Sequence, residues 1–293
     1  MPKPNQTTRR VLNLKIVNTN KPNYKYKVMD FLGSPLKCGN LTLAIATNSE
    51  QIQRCQKLRF EVFNKELGEG IAENQELGLD VDQFDQYCEH LMVLNEDKLI
   101  GTFRILHGSN FGKDGFYSQS EFQIDDVLKK IEMPSLVEVG RACIDPEHRK
   151  QITLMALFMG LWTYLRTKKT KYFFGCSSLP PECTADDAVK TAQILEEKNL
   201  FSKEYFAEPL NSHKFSGDPE KGQDRCSDLM KLYFKLGAKV ISKPAYDPIF
   251  KCYDVLTLFN IEELSPFGRD LINRFDGQIS KQENPSKNAE TTT

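Results

Sequence analysis

Apolar residues recur along this chain at two spacings, and each spacing predicts a kind of element. Ile52, Cys55, Leu58, Val62 and Phe63 fall at helical intervals, which predicts a helix from Thr47 to about Leu67 with one face on the core. Thr47-Asn48-Ser49-Glu50 has the form of a capping box at its start, where a hydroxyl and a carboxylate satisfy free N–H groups. Leu41 to Ile45 reads as a short strand before it. His90 to Leu94 and Leu99 to Leu106 read as two more strands, joined into a hairpin by the turn-forming Asn95-Glu96-Asp97-Lys98. Between helix and hairpin, Gly68 to Gly78 is a polar loop, followed by the acidic stretch Asp80-Val81-Asp82-Gln83-Phe84-Asp85.

Further along, Val137 to Ile144 is a strand, 152 to 168 a long helix and Tyr172 to Gly175 a returning strand. Strand, helix and strand with short joints make a βαβ unit, which favours parallel neighbours and a right-handed crossover. The fold class is therefore α/β, a mixed central sheet flanked by helices. A later helix, Asp228 to Leu236, stops at Gly237, and Val240-Ile241 and Tyr253 to Phe259 supply final strands. The long helix carries Met155, Leu157, Phe158, Leu161 and Trp162, either as ordinary core or as the lining of an acyl tunnel.

The ends lack such periodicity. Residues 1–40 hold eight Lys or Arg against the single acid Asp30 and read as a basic, loosely ordered arm. It is a solvated tail or a patch for acidic carrier protein or an anionic membrane surface. Residues 277–293 are polar and poor in large apolar side chains, and are expected to be a disordered tail. The folded part is expected at 41–276.

Composition changes this picture little. The 293 residues are 40% apolar and 27% charged with a formal net charge of -1, ordinary for a globular chain, and no nucleic-acid partner is expected. Eight scattered cysteines without a CxxC pair read as reduced core thiols of a cytoplasmic protein. Met1 to Lys15 has no apolar h-region, so no secretory signal is expected. The longest apolar run, Ile152 to Leu165, falls short of the ~20 residues that a spanning helix needs. No residues are spaced like a metal site.

Charges placed on or beside apolar elements are the candidate chemistry. Arg59, Asp82, Asp85, Arg104, Glu138 and Arg141 are such a set, and charges in apolar surroundings are normally paired. They are either structural ion pairs or an acceptor pocket, in which carboxylates hold an ammonium, arginines hold a carboxylate and one acid takes a proton. Strand alternation places Glu138 and Gly140 on one side and Val139 and Arg141 on the other. Gly140 marks a bulge or a close backbone approach, which would let N–H groups near Ala142 and Cys143 face a reacting carbonyl. Arg149, Lys150, Gln151, Ile152 and Thr153 open the long helix, whose free N–H groups can hold a phosphate.

Taken in order, these residues resemble the acyl-carrier-protein-dependent branch of the GNAT superfamily. The resemblance is to ornithine lipid synthases in particular, with acyl-homoserine-lactone synthases as relatives. It covers about residues 42–180 and rests on Arg59, Phe63, Asp82, Asp85, Arg104 and Glu138-Val139-Gly140-Arg141. Phe84-Asp85-Gln86-Tyr87-Cys88-Glu89-His90-Leu91 and Gly115-Phe116-Tyr117-Ser118-Gln119-Ser120-Glu121-Phe122 look closer to the lipid synthases. The extension 181–276 shares Leu236-Gly237-Ala238 and Pro244 to Phe250 with that group, and no role is carried over there. The family's coenzyme A users have a glycine-containing pyrophosphate loop, and residues 149–153 lack both glycines.

The resemblance implies a GNAT-like (acyl-CoA N-acyltransferase) fold. It implies an N-acyltransferase moving a long-chain fatty acyl group from acyl carrier protein to the amine of an amino acid such as ornithine, in lipid biosynthesis. The donor would be acyl-phosphopantetheine, held at 149–153, with no tightly bound cofactor. Glu138 would remove a proton from the amine, and N–H groups at 142–144, Cys143 included, would hold the oxyanion. Asp82 and Asp85, with Phe63, would place the amine, while Arg59, Arg104 and Arg141 would fix the acids or hold an acceptor carboxylate. A covalent route through Cys143 or Cys176 is an alternative step. An acyl-homoserine-lactone synthase, or a non-catalytic carrier-protein or lipid binder, is the alternative function.

Overall fold

The computed structural model describes residues 35–283. The chain runs β1 (Leu36–Cys38), β2 (Leu41–Ile45), α1 (Ser49–Phe60), β3 (Glu89–Asn95), β4 (Lys98–His107), β5 (Phe122–Gln123), α2 (Asp125–Leu128) and β6 (Leu136–Ile144). It continues through α3 (Gln151–Lys168), β7 (Tyr172–Ser178), α4 (Ala185–Glu197), β8 (Glu208–Pro209) and α5 (Asp228–Leu236). Last come β9 (Lys239–Val240), β10 (Ala245–Asp247), β11 (Cys252–Asn260) and α6 (Pro266–Glu283). Nine strands form one sheet in the order β1-β2-β3-β4-β6-β7-β11-β10, with β9 also on β11.

In this sheet β6 and β7 pair in parallel with α3 as their crossover, as the strand, helix, strand pattern predicts, and the other pairs are antiparallel. This is the α/β arrangement expected from the sequence, a mixed central sheet flanked by helices. The parallel pair is short. Leu136, Val137 and Glu138 face Tyr172, Phe173 and Phe174, and beyond them β6 and β7 have no register in common. The sheet parts in its middle there, and the gap is the cleft described below.

Apolar packing covers both faces. On one, α3 buries Ala156, Leu157, Met159 and Leu161 against β2, β3 and β4, with Leu236 and Phe275 of α5 and α6 beside it. Gly160 lets α3 lie close, since a Cβ there would stand 2.8 Å from Leu91. On the other, Phe116, Phe122, Ile124 and Val127 pack against Phe174, Leu256 and Leu258. Met155 and Trp162 flank the first core, and Phe158, Leu161 and Trp162 also line a small cavity of about 20 Å3. Among the described residues no helix is long and apolar enough to cross a membrane. The eight cysteines are all free thiols.

The first helix departs from its predicted cap. Asn48, not Thr47, is the N-cap and accepts the Gln51 N–H at 3.0 Å, while the Thr47 N–H donates to the Gln51 side chain at 2.7 Å. The helix ends in one π-helical turn, Glu61–Glu66, so its predicted length to Leu67 holds with a wider last turn.

Both predicted ends are corrected. The tail does not begin at 277, because α6 continues to Glu283 and seats Phe275 and Ile279, one helical turn apart, in the core. Residues 36–38, assigned to the arm, are the edge strand β1. The two meet: Lys37 N–H donates to Gln282 Oε1, and Gln282 Nε2 donates to Lys37 O, both at 2.7 Å. One side-chain amide thus supplies the donor and acceptor that a further strand would give this edge. The rest of the basic arm, residues 1–34, and residues 284–293 lie outside the described residues.

Candidate active site

Six charged side chains meet where α1 packs on β4 and β6. Arg59 Nε donates to Asp80 Oδ2 at 2.6 Å, and its Nη1 and Nη2 grip Asp85 Oδ1 and Oδ2 at 2.7 and 3.0 Å. Arg104 Nη1 reaches Asp82 Oδ1 at 2.6 Å and Asp85 Oδ2 at 3.3 Å. Arg141 closes the ring, Nε to Asp80 Oδ2 at 3.3 Å and Nη2 to Asp82 Oδ2 at 3.1 Å. Burial alone would raise the Asp85 carboxyl, but Arg59 and Arg104 outweigh it and hold it well below the ordinary range. Asp80 is lowered in the same way by Arg59 and Arg141. Three arginines thus neutralise three aspartates, and of the two roles open to them the arginines here fix the acids. His90, 3.6 Å from Asp85, is fully buried, and burial drives it down to about 3, so it is neutral.

Arg141 changes the geometry of β6. Its φ of 50° lies in the left-handed region, and β4 shifts register opposite it, between Thr102 and Arg104. The bulge breaks strand alternation. Glu138 and Arg141, expected on opposite faces, therefore line one cavity of about 290 Å3 in the gap between β6 and β7. Residues 138–142 and 173–178 form its two walls. Phe63 lines it too and stands edge-on to Phe250, with ring centroids 6.0 Å apart. A Cβ on Gly140 would meet no atom within 4 Å, so the missing side chain relieves no clash and leaves the cleft open.

Glu138 is one of the carboxylates that line this cleft. Its Oε2 accepts the Tyr117 N–H at 2.7 Å and its Oε1 the Ser118 N–H at 2.8 Å, at the start of the turn Tyr117–Ser120. Burial pushes its carboxyl above the ordinary range, against the lowering effect of those N–H groups. A buried acid with a raised affinity for protons, held by N–H groups and facing a cavity, is suited to take a proton from an incoming group.

The other expected residues are less well placed. Cys143 pairs with Thr102 in the sheet, is buried, does not line the cleft, and burial pushes its thiol up. That environment keeps it protonated and unsuited to a covalent step. Cys176 lines the cleft, but burial and the neighbouring Glu121 push its thiol well up as well. Arg149 is engaged by Glu66 at 2.6 and 2.7 Å, and Lys150 is the N-cap of α3 without a side-chain cap. Gln151 and Ile152 are exposed, Thr153 is buried, and none of residues 149–153 lines the cleft.

Sequence reasoning missed several contributors. Asp80, in the acidic stretch, is the hub that ties Arg59 to Arg141. Tyr117 and Ser118 lie in the stretch that marked the resemblance, without a role assigned. A second acidic group, Glu69, Glu121, Asp247 and Asp254, comes from three distant parts of the chain. Asp254 was legible as a charge inside an apolar strand. No spacing pointed to a metal site, yet ligand atoms of Asp247, Cys252 and Asp254 lie within 4.8 Å of one another.

Residues 58–159 match the family of the acetyltransferase (GNAT) domain. The chain is 28% identical over 274 residues to the L-ornithine N(alpha)-acyltransferase of Rhizobium meliloti, a match covering 86% of this chain and 90% of that protein. It is 29% identical to the protein of the same name from Agrobacterium fabrum, covering 78% of this chain and 84% of that one. Among solved structures it is similar to FeeM, an N-acyl amino acid synthase from uncultured soil microbes. That match has a TM-score of 0.48 and 12% identity, over 76% of this chain and 93% of that one.

Proposed function

Because this chain is a GNAT acyltransferase, similar along most of its length to L-ornithine N(alpha)-acyltransferases, we propose that it moves a fatty acyl group from acyl carrier protein to the amine of an amino acid such as ornithine. The observation that carries the reading is Glu138, a buried carboxylate held by two N–H groups on the wall of an open cleft between parting strands.

The acyl thioester enters between β6 and β7, where Gly140 leaves space. The acceptor amine loses a proton to Glu138 and attacks the thioester carbonyl. A new N–C bond forms, a tetrahedral oxyanion collapses, and the phosphopantetheine thiol leaves with a proton. Of the N–H groups expected at 142–144, that of Ala142 is on the cleft wall and serves that oxyanion. The six-charge ring keeps β4, β6 and the 80–85 turn in place around the acceptor, so Asp82 and Asp85 act by position more than by direct contact with the amine. Arg149 and the N-terminus of α3 serve the phosphate of the donor arm.

The test is mass spectrometry of lipid extracts from cells expressing the chain, beside a Glu138→Gln control. An N-acyl amino acid present with the wild type supports the reading and names the acceptor. In the purified reaction the control is expected to lose ~10²–10⁴-fold in rate, the usual contribution of a positioned base. Wild-type rates are expected to fall as the pH drops through the raised Glu138 value. A diffusible acyl-homoserine lactone, or no product despite folded protein and acyl carrier protein, would overturn the assignment.

A further inference from the structure

Glu138 shares its cleft with acids that the reaction above does not use. Asp254 on β11 and Asp247 at the end of β10 come from paired strands, with Asp254 opposite Ala245 and Asp247 opposite Cys252. Glu69, from the loop after the π-helical turn, joins them, and all three line the cavity. Glu121 backs Asp254. Asp254, Asp247 and Glu121 are almost fully buried. Among the described residues, none of the four has a Lys, Arg or His in salt-bridge contact.

Their partners are weak or already used. Asp247 Oδ2 accepts the Tyr117 hydroxyl at 3.1 Å, and its Oδ1 accepts the N–H groups of Ile249 and Phe250 at 2.7 and 3.2 Å. The Cys252 thiol lies 3.6 Å from Asp254 Oδ2, and the Cys176 thiol 3.6 Å from Glu121 Oε1. Asp254 Oδ1 and Glu121 Oε2 are buried, and the two carboxyl groups lie within hydrogen-bond reach of each other. Burial, then mutual repulsion, pushes Glu69 up to about 7, while burial and Asp247 push Asp254 up to about 6. A fold that only needed packing here would be better served by apolar side chains, since unpaired buried charge is costly.

Tyr117 ties this group to the reacting end. Its N–H holds Glu138 and its hydroxyl holds Asp247, so the two carboxylates stand one tyrosine side chain apart along the same cleft. Resting on the amine acylation proposed above, we infer that Asp254 and Asp247, with Glu69 at the cleft, bind a second cationic group of the acceptor, the side-chain ammonium of a diamino acid. The ammonium supplies the positive charge these acids lack and donates to the Asp254 and Asp247 carboxylates at the cleft. Glu138 meanwhile receives the proton of the amine being acylated. These residues therefore set the choice of acceptor, and Asp247 and Asp254 lie outside the segment that matches the GNAT domain, on the C-terminal strands.

The test compares ornithine with norvaline, the same skeleton without the distal amine, on the purified full chain with acylated carrier protein. Wild type is expected to favour ornithine, mainly through KM. Asp254→Asn is expected to lower kcat/KM for ornithine by ~10–100-fold more than for norvaline, the range for a hydrogen bond to a charged group. Equal losses on both acceptors would make Asp254 merely structural and overturn the inference. So would a wild type that acylates norvaline as well as ornithine, which leaves the acyltransferase reading intact. Calorimetry of ornithine and norvaline binding gives a readout without turnover. Ornithine binding that Asp254→Asn or Glu69→Gln weakens supports the site even if no amine is acylated, and absence of that binding overturns it. Activity that a chelator abolishes and zinc restores in wild type, but not in Cys252→Ala, would assign the cluster to a metal instead.

Discussion

Two groups of carboxylates lie a few residues from the same cleft, and the fold treats them in opposite ways. Asp80, Asp82 and Asp85 are matched one for one by Arg59, Arg104 and Arg141, and Asp80 and Asp85 are driven toward the ionised form. Glu69, Glu121 and Asp254 have no cation and are driven toward the protonated form. Both groups are buried or half-buried, so burial does not distinguish them. What differs is whether the countercharge is built into the chain. The first group brings its own and so belongs to the scaffold; the second leaves the place of a cation open at a cavity, which is where a ligand can supply it. Glu138 belongs to neither, held by N–H dipoles that steady it without committing it to charge.

The sharpest way to break this comparison is to remove one countercharge from the first group. Arg59 is fully buried and holds Asp80 and Asp85 by its whole fork. Arg59→Leu leaves two buried carboxylates short of a partner and is expected to cost about 3–5 kcal/mol, the range for a broken buried pair. Denaturant melts would show it as a lower midpoint with little change in slope. A loss below about 1 kcal/mol would mean that the ring is not a scaffold.

The second group should respond with the opposite sign to pH. Asp254 and Glu69 bind protons more tightly when folded than the ordinary values of 3.8 and 4.5, so the folded chain holds more protons than the unfolded one between those values and about 6 and 7. Their contribution is full below about pH 4 and is lost as the pH rises through 6 and 7. Asp80 and Asp85 work the other way, losing stability only as the pH falls below 3.8. Asp254→Asn is thus expected to be more stable than wild type at pH 8 and to lose that advantage near pH 4. Thermal melts across this range check it, and ornithine added at pH 8 should raise the wild-type melting temperature more than that of the variant.

The two groups also differ in how far they could be read from the sequence. Arg59, Asp82, Asp85, Arg104 and Arg141 were found because each interrupts or borders an apolar periodic segment, and a charge there demands a partner. The helix and strands that carry them were legible for the same reason, and α3 with β6 and β7 most of all. Gly140 marked a bulge or a close approach in β6, but that the left-handed residue of the bulge is Arg141 had no signal in its own side chain. Nor was the acid cluster, whose members are brought together by the pairing of β10 with β11 and by the folding back of the 116–121 turn. The helices α4 and α6 were missed because their apolar residues are set among many charges; in α6 Phe275 and Ile279, with Leu271 and Ile272 beside them, give the helix a buried side.

A third pair supplies the smallest expected effect. Arg149 and Glu66 are joined as closely as Arg59 and Asp80, at 2.6 Å, but at 44% and 31% side-chain exposure. Water screens the one and not the other, so Arg149→Ala is expected to cost under about 1 kcal/mol of stability where Arg59→Leu costs several. If Arg149 also serves the donor phosphate, its loss should appear in KM for acyl carrier protein, with kcat and the KM for the amino acid little changed. Steady-state kinetics against each substrate would separate the roles. A melting temperature that falls as far as that of Arg59→Leu would show that exposure is not what separates scaffold pairs from available ones. An unchanged donor KM would leave Arg149 a surface ion pair and move the phosphate site away from the start of α3.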